Sequence, residues 1–360
     1  MAFEWLLVAL ASVLAAKALG MRERYAPATL ASMTLVGVAL ALGATSLRQP
    51  PAPSPIRLET GAFASSNACQ SCHPAQYASW HASFHRSMTQ SATLANVAAV
   101  ALRQGGRLRT ESGGRTVELF TRGSELWANL PDPKLTSSSL PADYDAQFRA
   151  APNRDVRVLL LTGSHRHQAF WLAAPRTGEL RALPAVYLIP EQRLIPRRAA
   201  FLEPADTVAQ AVRWNSNCIQ CHVVAGAPQH DPQRDVFDSS AAELGIACEA
   251  CHGPGAAHVR QMQNPLTRYR AHAGAEGALA IVNPKALGSE RASEVCGRCH
   301  SYFFPRQESD WWLHGFSRSY TPGGKLSDAQ RLLSPEVLQA ADAPQLGQSA
   351  DSLFYRDGTI

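Results

Sequence analysis

Eight cysteines fall as four pairs, each pair separated by two residues and each followed at once by histidine: Cys69-Gln-Ser-Cys72-His73, Cys218-Ile-Gln-Cys221-His222, Cys248-Glu-Ala-Cys251-His252 and Cys296-Gly-Arg-Cys299-His300. No cysteine lies outside the pattern. Two thiols on one helical turn at this spacing reach the two vinyl groups on neighbouring edges of a porphyrin, and the next imidazole then points at the iron. One such pentapeptide is expected at about 10⁻⁵ per position by chance, so four in one chain are not accidental. The motifs therefore imply four covalently attached haem c groups, held by Cys69, Cys72, Cys218, Cys221, Cys248, Cys251, Cys296 and Cys299, with His73, His222, His252 and His300 as proximal iron ligands. Three other readings fit less well. A disulfide framework leaves the adjacent histidines unexplained and belongs to far shorter chains. Zinc sites built from thiolate quartets leave those histidines idle. A thioredoxin-like redox motif occurs once, not four times.

The rest of the composition is that of a folded protein. Hydrophobic residues make up 46% of the 360 residues and charged residues 18%, enough for one large or two medium domains with a real core. The formal charge of +5 is mild, and no Lys/Arg cluster with interleaved aromatics appears, so no nucleic-acid partner is expected.

Two apolar stretches, 5–16 and 28–44, flank Arg22-Glu23-Arg24 near the N-terminus. The second reads as the h-region of a signal peptide whose basic n-region begins at Met21, with Ala39, Ala41 and Gly43 as small residues for cleavage. A start at Met21, a retained hairpin anchor and a buried core helix stay open as alternatives; the first stretch is short for a membrane span. The run Pro50-Pro51-Ala52-Pro53-Ser54-Pro55 suits a linker to an exported domain. The expected organisation is a signal peptide or membrane anchor over 1–48, a proline-rich linker over 49–60, a first haem-binding segment over 61–104, a β-rich insertion over 105–200, a core with three attachment sites over 201–330, and a tail over 331–360.

The motifs are unevenly spaced: 144 residues separate His73 from Cys218, but only 25 separate His222 from Cys248 and 43 separate His252 from Cys296. The long gap contains strand signals at Arg107–Thr110, Thr116–Thr121, Val156–Leu161, Gln168–Leu172 and Leu180–Leu188, with turn residues at 111–114 and 176–179. The expected fold class is a multihaem cytochrome, mainly α with irregular loops around a haem cluster, plus a small antiparallel β insertion (α+β).

Iron in an electron carrier is usually six-coordinate. Eight histidines remain for four vacancies: His81, His85, His165, His167, His230, His258, His272 and His314. A proximal and a distal nitrogen lie on opposite faces of a flat macrocycle. His258 follows His252 by six residues, too short a path around one porphyrin, so it serves a neighbouring haem. His85, on an expected helix from Ala75 to Met88, does the same. These two are the first choices as distal ligands. His314, His165, His167, His230 and His272 are weaker candidates; His165 and His167 share one face of a strand. His81 stands one turn from His85 and cannot fill the same vacancy. Arg166, Arg197 and Arg198 suit haem propionates.

Cys69-Gln-Ser-Cys72-His73 followed by Gln76, Trp80, Ser83-Phe84-His85 and Met88 resembles the first-haem segment of the cytochrome c554-type multihaem cytochromes, relatives of the pentahaem nitrite reductases and octahaem hydroxylamine oxidoreductases. Cys248 through His258 is similar to another signature of the group. Thr162-Gly-Ser-His165 with Gln168 and Trp171, and Tyr320 through Leu326, extend the resemblance over most of 61–360. It implies that His85 and His258 are distal ligands. The nitrite reductases carry a catalytic haem motif ending in lysine, and none exists here. The last residues, Phe354 to Ile360, resemble a segment that continues to further haem motifs in longer relatives, so a C-terminally truncated member is expected.

The leading expectation is an exported electron carrier with closely packed bis-histidine haems and no catalysis of its own. Redox proteins would serve as donor and acceptor, the cytochrome c maturation machinery would load the haems, and the N-terminal segment would give any membrane association. Two other readings stand beside it: an oxidoreductase acting on a small nitrogen or sulfur compound at an open haem, and a subunit of a membrane redox complex or haem wire.

Overall fold

The computed structural model describes residues 56–133, 142–174, 178–201, 213–274, 279–315, 319–334 and 337. The apolar stretches and the whole proline-rich run near the N-terminus, the turn at 176–177 and most of the tail lie outside the described residues. Among the described residues no helix is long and apolar enough to cross a membrane.

A single antiparallel sheet dominates the chain between the first and second attachment motifs. After the short strand β1 (Arg57–Leu58), it is built from β2 (Thr89–Ser91), β3 (Arg107–Ser112), β4 (Arg115–Arg122), β5 (Glu125–Pro131), β6 (Asn153–Thr162), β7 (His167–Ala174), β8 (Glu179–Leu188) and β9 (Arg193–Pro196). Strands β3 to β9 follow one another as a meander, and β2 joins β6 beyond the point where β5 leaves it. Strand β3 lies beside β9, so the sheet nearly closes on itself.

Side-chain alternation explains this curvature. Val117 and Leu119 of β4 and Leu126, Ala128 and Leu130 of β5 point into a core shared with Leu161, Phe170, Leu183 and Tyr187. The intervening outward residues form cross-strand ion pairs, Arg107 and Arg109 with Glu118 and Arg157 with Glu125. Strands β6 and β7 are buried on both faces. Leu161 and Phe170 enter the closed core, whereas their neighbours Leu160 and Trp171 pack outward on Ile56, Trp214, Ile219 and Val223. The second cluster is where the sheet meets the segment carrying the second attachment motif. It also accounts for the nearly continuous apolar sequence of these two strands.

The expectation of a mainly α architecture with a small β insertion is overturned: helix and strand have nearly equal shares. An attachment motif requires only one helical turn, and the longest described helix, Ser289–Gly297, has 9 residues. The period-two pattern between the first two motifs, by contrast, extends through strands of up to 10 residues. The helix expected to reach Met88 is Pro74–His81. Its last turn tightens, with Ser83 N–H donating to Trp80 O at 2.8 Å, and Ser87 Oγ bonds back to the main chain at Phe84. Serine hydroxyls that bond locally compete with helix continuation. His81 and His85 therefore do not share a helical face.

Gln168 ties three segments together inside this framework. It is fully buried; its Oε1 accepts from Ala98 N–H at 2.9 Å, and its Nε2 donates to Asn96 O at 3.0 Å and Gly163 O at 3.3 Å. Gln168→Ala strands these groups and is expected to lower unfolding stability by about 2–3 kcal/mol, read by denaturant unfolding followed with far-UV circular dichroism. A loss below about 0.5 kcal/mol would show that the bridge is dispensable.

Candidate haem-binding site

Each attachment motif is folded as a helical turn, by three different local routes. Cys69 closes the helix Ser66–Gln70, and the N–H groups of Cys72 and His73 both bond back to Cys69 O, at 3.2 and 2.9 Å. Cys299 and His300 repeat this geometry on Cys296 O, at 3.1 and 2.9 Å. The third motif is itself a helix, Cys248–His252, ended by Gly253 at φ 78°. The second follows a wide π-type turn, Trp214–Cys218, into the helix Ile219–His222. Residues three apart on such a turn share a face, so both thiols of each motif point the same way.

The four motifs form a connected group. Cys248 N–H donates to Ser66 Oγ at 3.3 Å, close by Cys69, and Cys299 Sγ donates to Cys221 O at 3.9 Å. The proximity of Cys248 and of Cys299, together with burial, pushes the thiols of Cys69 and Cys221 above the usual range. Cys251 lies within electrostatic reach of Cys296 and Cys299. The motifs are thus ordered first, third, fourth, second in space. All eight cysteines are free thiols, and among the described residues no three of His, Cys, Asp or Glu converge as a metal cluster.

The histidines supply the test of fit. His73 and His258 face each other with ring centres 6.4 Å apart and planes inclined by 25°. His85 and His300 face each other at 6.4 Å with planes inclined by 71°. Two imidazoles bound on opposite sides of one metal, each through a bond of about 2.0 Å, set their ring centres about 6 Å apart. The separation thus fits an iron between the rings, which in both cases come from different motif segments. Burial lowers the pKa of His258, with further contributions from His73 and His252, and pushes that of His222 down to about 4. Both rings carry a buried Nδ1 with no protein partner. His252 donates its Nδ1–H to Val282 O at 2.8 Å, which fixes the ring and leaves Nε2 available to ligate a metal.

The remaining histidines are placed differently. His314 ends the helix Glu308–His314, which abuts the second motif: a Cβ on the next residue, Gly315, would sit 2.3 Å from Gln220 Oε1. His230 lies 3.2 Å from Asp235 and stacks on Phe237. His165 stacks on Phe84 with ring centres 4.0 Å apart. His167 is exposed at the start of β7, His272 ends the helix Pro265–His272, and His81 stacks on Tyr77.

Charged residues inside the motifs join the segments. Glu249, 2% exposed, accepts from the N–H groups of Ala64 at 2.9 Å, Ser65 at 3.0 Å and Gly255 at 2.6 Å. Glu243 accepts from both N–H and Oγ of Ser66, and burial raises its pKa. Arg298, 7% exposed, acts after Cys221 in holding the Cys299 thiol below its usual range. The sequence reading passed over all three; Glu249 and Arg298 were visible as charged residues between paired cysteines, where only the spacing was considered. His85 is positioned by the same joint. Ile246 N–H donates to His85 O at 2.9 Å, and Trp80 Nε1 donates to Ile246 O at 2.8 Å.

The sequence matches the family described as cytochrome c554 and c-prime over residues 68–111 and 193–253, well under half of the chain. No curated protein matches it. Among solved structures it is similar to the outer cell wall cytochrome OcwA, at 18% identity and a TM-score of 0.44, over 78% of this chain and 47% of that one. It is also similar to an undecahaem cytochrome from the S-layer of Carboxydothermus ferrireducens, at 19% identity and a TM-score of 0.35, over 74% of this chain and 29% of that one. The chain spans about half the length of the first and under a third of the second.

Gly245 makes the approach of the third motif to His85 possible. Its φ is +79°, and a Cβ there would lie 2.2 Å from Arg86 O. Gly274 has a similar φ of +75° with nothing within 4 Å. Gly245→Ala is therefore expected to lose about 2 kcal/mol or more, and Gly274→Ala about 1 kcal/mol. Thermal unfolding of both variants tests this, and equal losses would show that the close approach is not needed.

Proposed function

We propose that the protein is an exported multihaem c-type cytochrome that passes electrons between redox partners. The observation carrying this reading is the pairing of His73 with His258 and of His85 with His300, each at 6.4 Å, beside thiol pairs of haem-attachment spacing. Cys69, Cys72, Cys218, Cys221, Cys248, Cys251, Cys296 and Cys299 hold four haems through thioethers. His73, His222, His252 and His300 are the proximal ligands. His258 would ligate together with His73, and His85 together with His300. Haem c would supply reversible one-electron exchange when bound, with little movement of these histidines.

The chain's own residues do the rest. The thiols fix each group without a deep apolar pocket, and the Val282 carbonyl orients His252. The spatial order of the motifs gives a row of four sites whose ends are the first and second motifs. A donor protein at one end and an acceptor at the other complete the path. Haem attachment by the maturation machinery takes place outside the cytoplasm, and the apolar segment at 28–44 with its basic flank supports export.

The purified protein is expected to carry four haem equivalents by mass and a low-spin ferric spectrum. His85→Ala and His258→Ala should each convert about a quarter of the iron to high spin. Unchanged spectra in both variants would remove these ligand assignments. Zinc, or no added tetrapyrrole, would remove the cytochrome reading altogether. High-spin iron in the unaltered protein would favour the alternative of an oxidoreductase with an open site.

A further inference from the structure

We infer that buried charges hold the two ends of this row at different reduction potentials, with Glu249 and Glu243 lowering the first-motif end and Arg298 raising the fourth- and second-motif end. The inference rests on the proposed electron-relay reading and adds a direction to it.

The charges are placed by geometry. The Glu249 carboxylate is enclosed between the first and third motifs, where its three main-chain donors come from Ala64 and Ser65 on one side and Gly255 on the other. Glu243 sits at the same joint: Ser66, its partner through both N–H and Oγ, also accepts from Cys248 N–H at 3.3 Å. Arg298 lies inside the fourth motif, between Cys296 and Cys299, and its neighbour Cys299 contacts Cys221 of the second motif.

A fixed negative charge stabilises the oxidised member of a one-electron couple, and a fixed positive charge stabilises the reduced member. Such effects are largest away from bulk water, and Glu249 and Arg298 are both nearly excluded from solvent. The guanidinium does not titrate in the working range, so its contribution is permanent. An electron given by a one-electron donor protein at the first motif would therefore run downhill past the third and fourth motifs. It would leave at the second to a one-electron acceptor protein, with no bond made or broken.

The two histidine pairs provide separate probes. Near-parallel rings at His73/His258 give a rhombic low-spin resonance, and steeply inclined rings at His85/His300 give a more axial one with a larger maximum g value. Potentiometric titration of the haem-loaded protein, read by electron paramagnetic resonance, follows the first and fourth sites separately. The rhombic signal is expected to have the lower potential. Arg298→Gln should weaken reduction at the fourth site about tenfold, equivalent to about 59 mV, with Arg298→Lys restoring most of it. Glu249→Gln should move the rhombic signal upward and leave the axial one in place. Equal potentials in the unaltered protein, or the reverse order, would overturn the inference even if a variant failed to fold. So would an Arg298→Gln protein carrying four haems with its axial signal unmoved. Loss of the haems or of both low-spin signals in the unaltered protein would instead strike the relay reading.

Discussion

A covalent attachment motif supplies ligation to one face of a flat macrocycle only, and the other face must be served from elsewhere in the chain. That constraint organises the structure. His258, six residues beyond its own motif's histidine, faces His73 of the first motif, and His85, twelve residues beyond His73, faces His300 of the fourth. Under the proposed ligation no segment that carries a motif is self-sufficient, so the segments would have to interlock. The hydrogen bonds at the joints do this work: Glu249 and Glu243 bind the turn before Cys69, and Ile246 binds the main chain at His85. Carboxylates accepting several main-chain N–H groups are strong, directional fasteners.

The sheet answers a different need. Among the described residues the helices have at most 9 residues, too few to form a stable framework by themselves. The nearly closed sheet supplies a core that depends on no cofactor, filled by Val117, Leu119, Leu126, Leu161, Phe170 and Leu183. It presents a second apolar face, Leu160 and Trp171, to the segment that carries Cys218 and Cys221. The Gln168 bridge and the Gly163 N–H bond to Met88 O at 3.0 Å anchor the loop that follows His85 to the same sheet. The platform therefore holds parts of two motif-bearing segments at fixed separation.

The attachment chemistry was legible from spacing alone because thioether reach and proximal ligation are local properties of five residues. The expectation that His85 and His258 serve other motifs rests on a short peptide being unable to encircle a porphyrin; the closeness of their rings to those of His300 and His73 depends on long-range packing that spacing does not encode. The strands at 107–112, 115–122, 153–162, 167–174 and 179–188 announced themselves by alternation and turn residues. Their extent did not. Strand β5 carries Asn129 and Pro131, residues that read as loop, and pairs nonetheless because Leu126, Ala128 and Leu130 all reach the core. Closure by β9 is likewise a tertiary outcome. The helix expected through His85 ends at His81, where the main chain tightens at Ser83 and the Ser87 hydroxyl bonds back to Phe84 O.

The residues between the paired cysteines carry the last lesson. Attachment places no demand on them, so Gln70-Ser71, Ile219-Gln220, Glu249-Ala250 and Gly297-Arg298 are free to serve the surroundings of each site. Two of them are charged, of opposite sign, and both are nearly excluded from solvent. Burying a charge is costly unless it is compensated, and Glu249 is compensated by three donors from two segments. A neutral residue would occupy the same volume without that requirement. The positions inside the motif are therefore where a chain of this kind sets the electrical environment of each site independently of the bond pattern that makes the site.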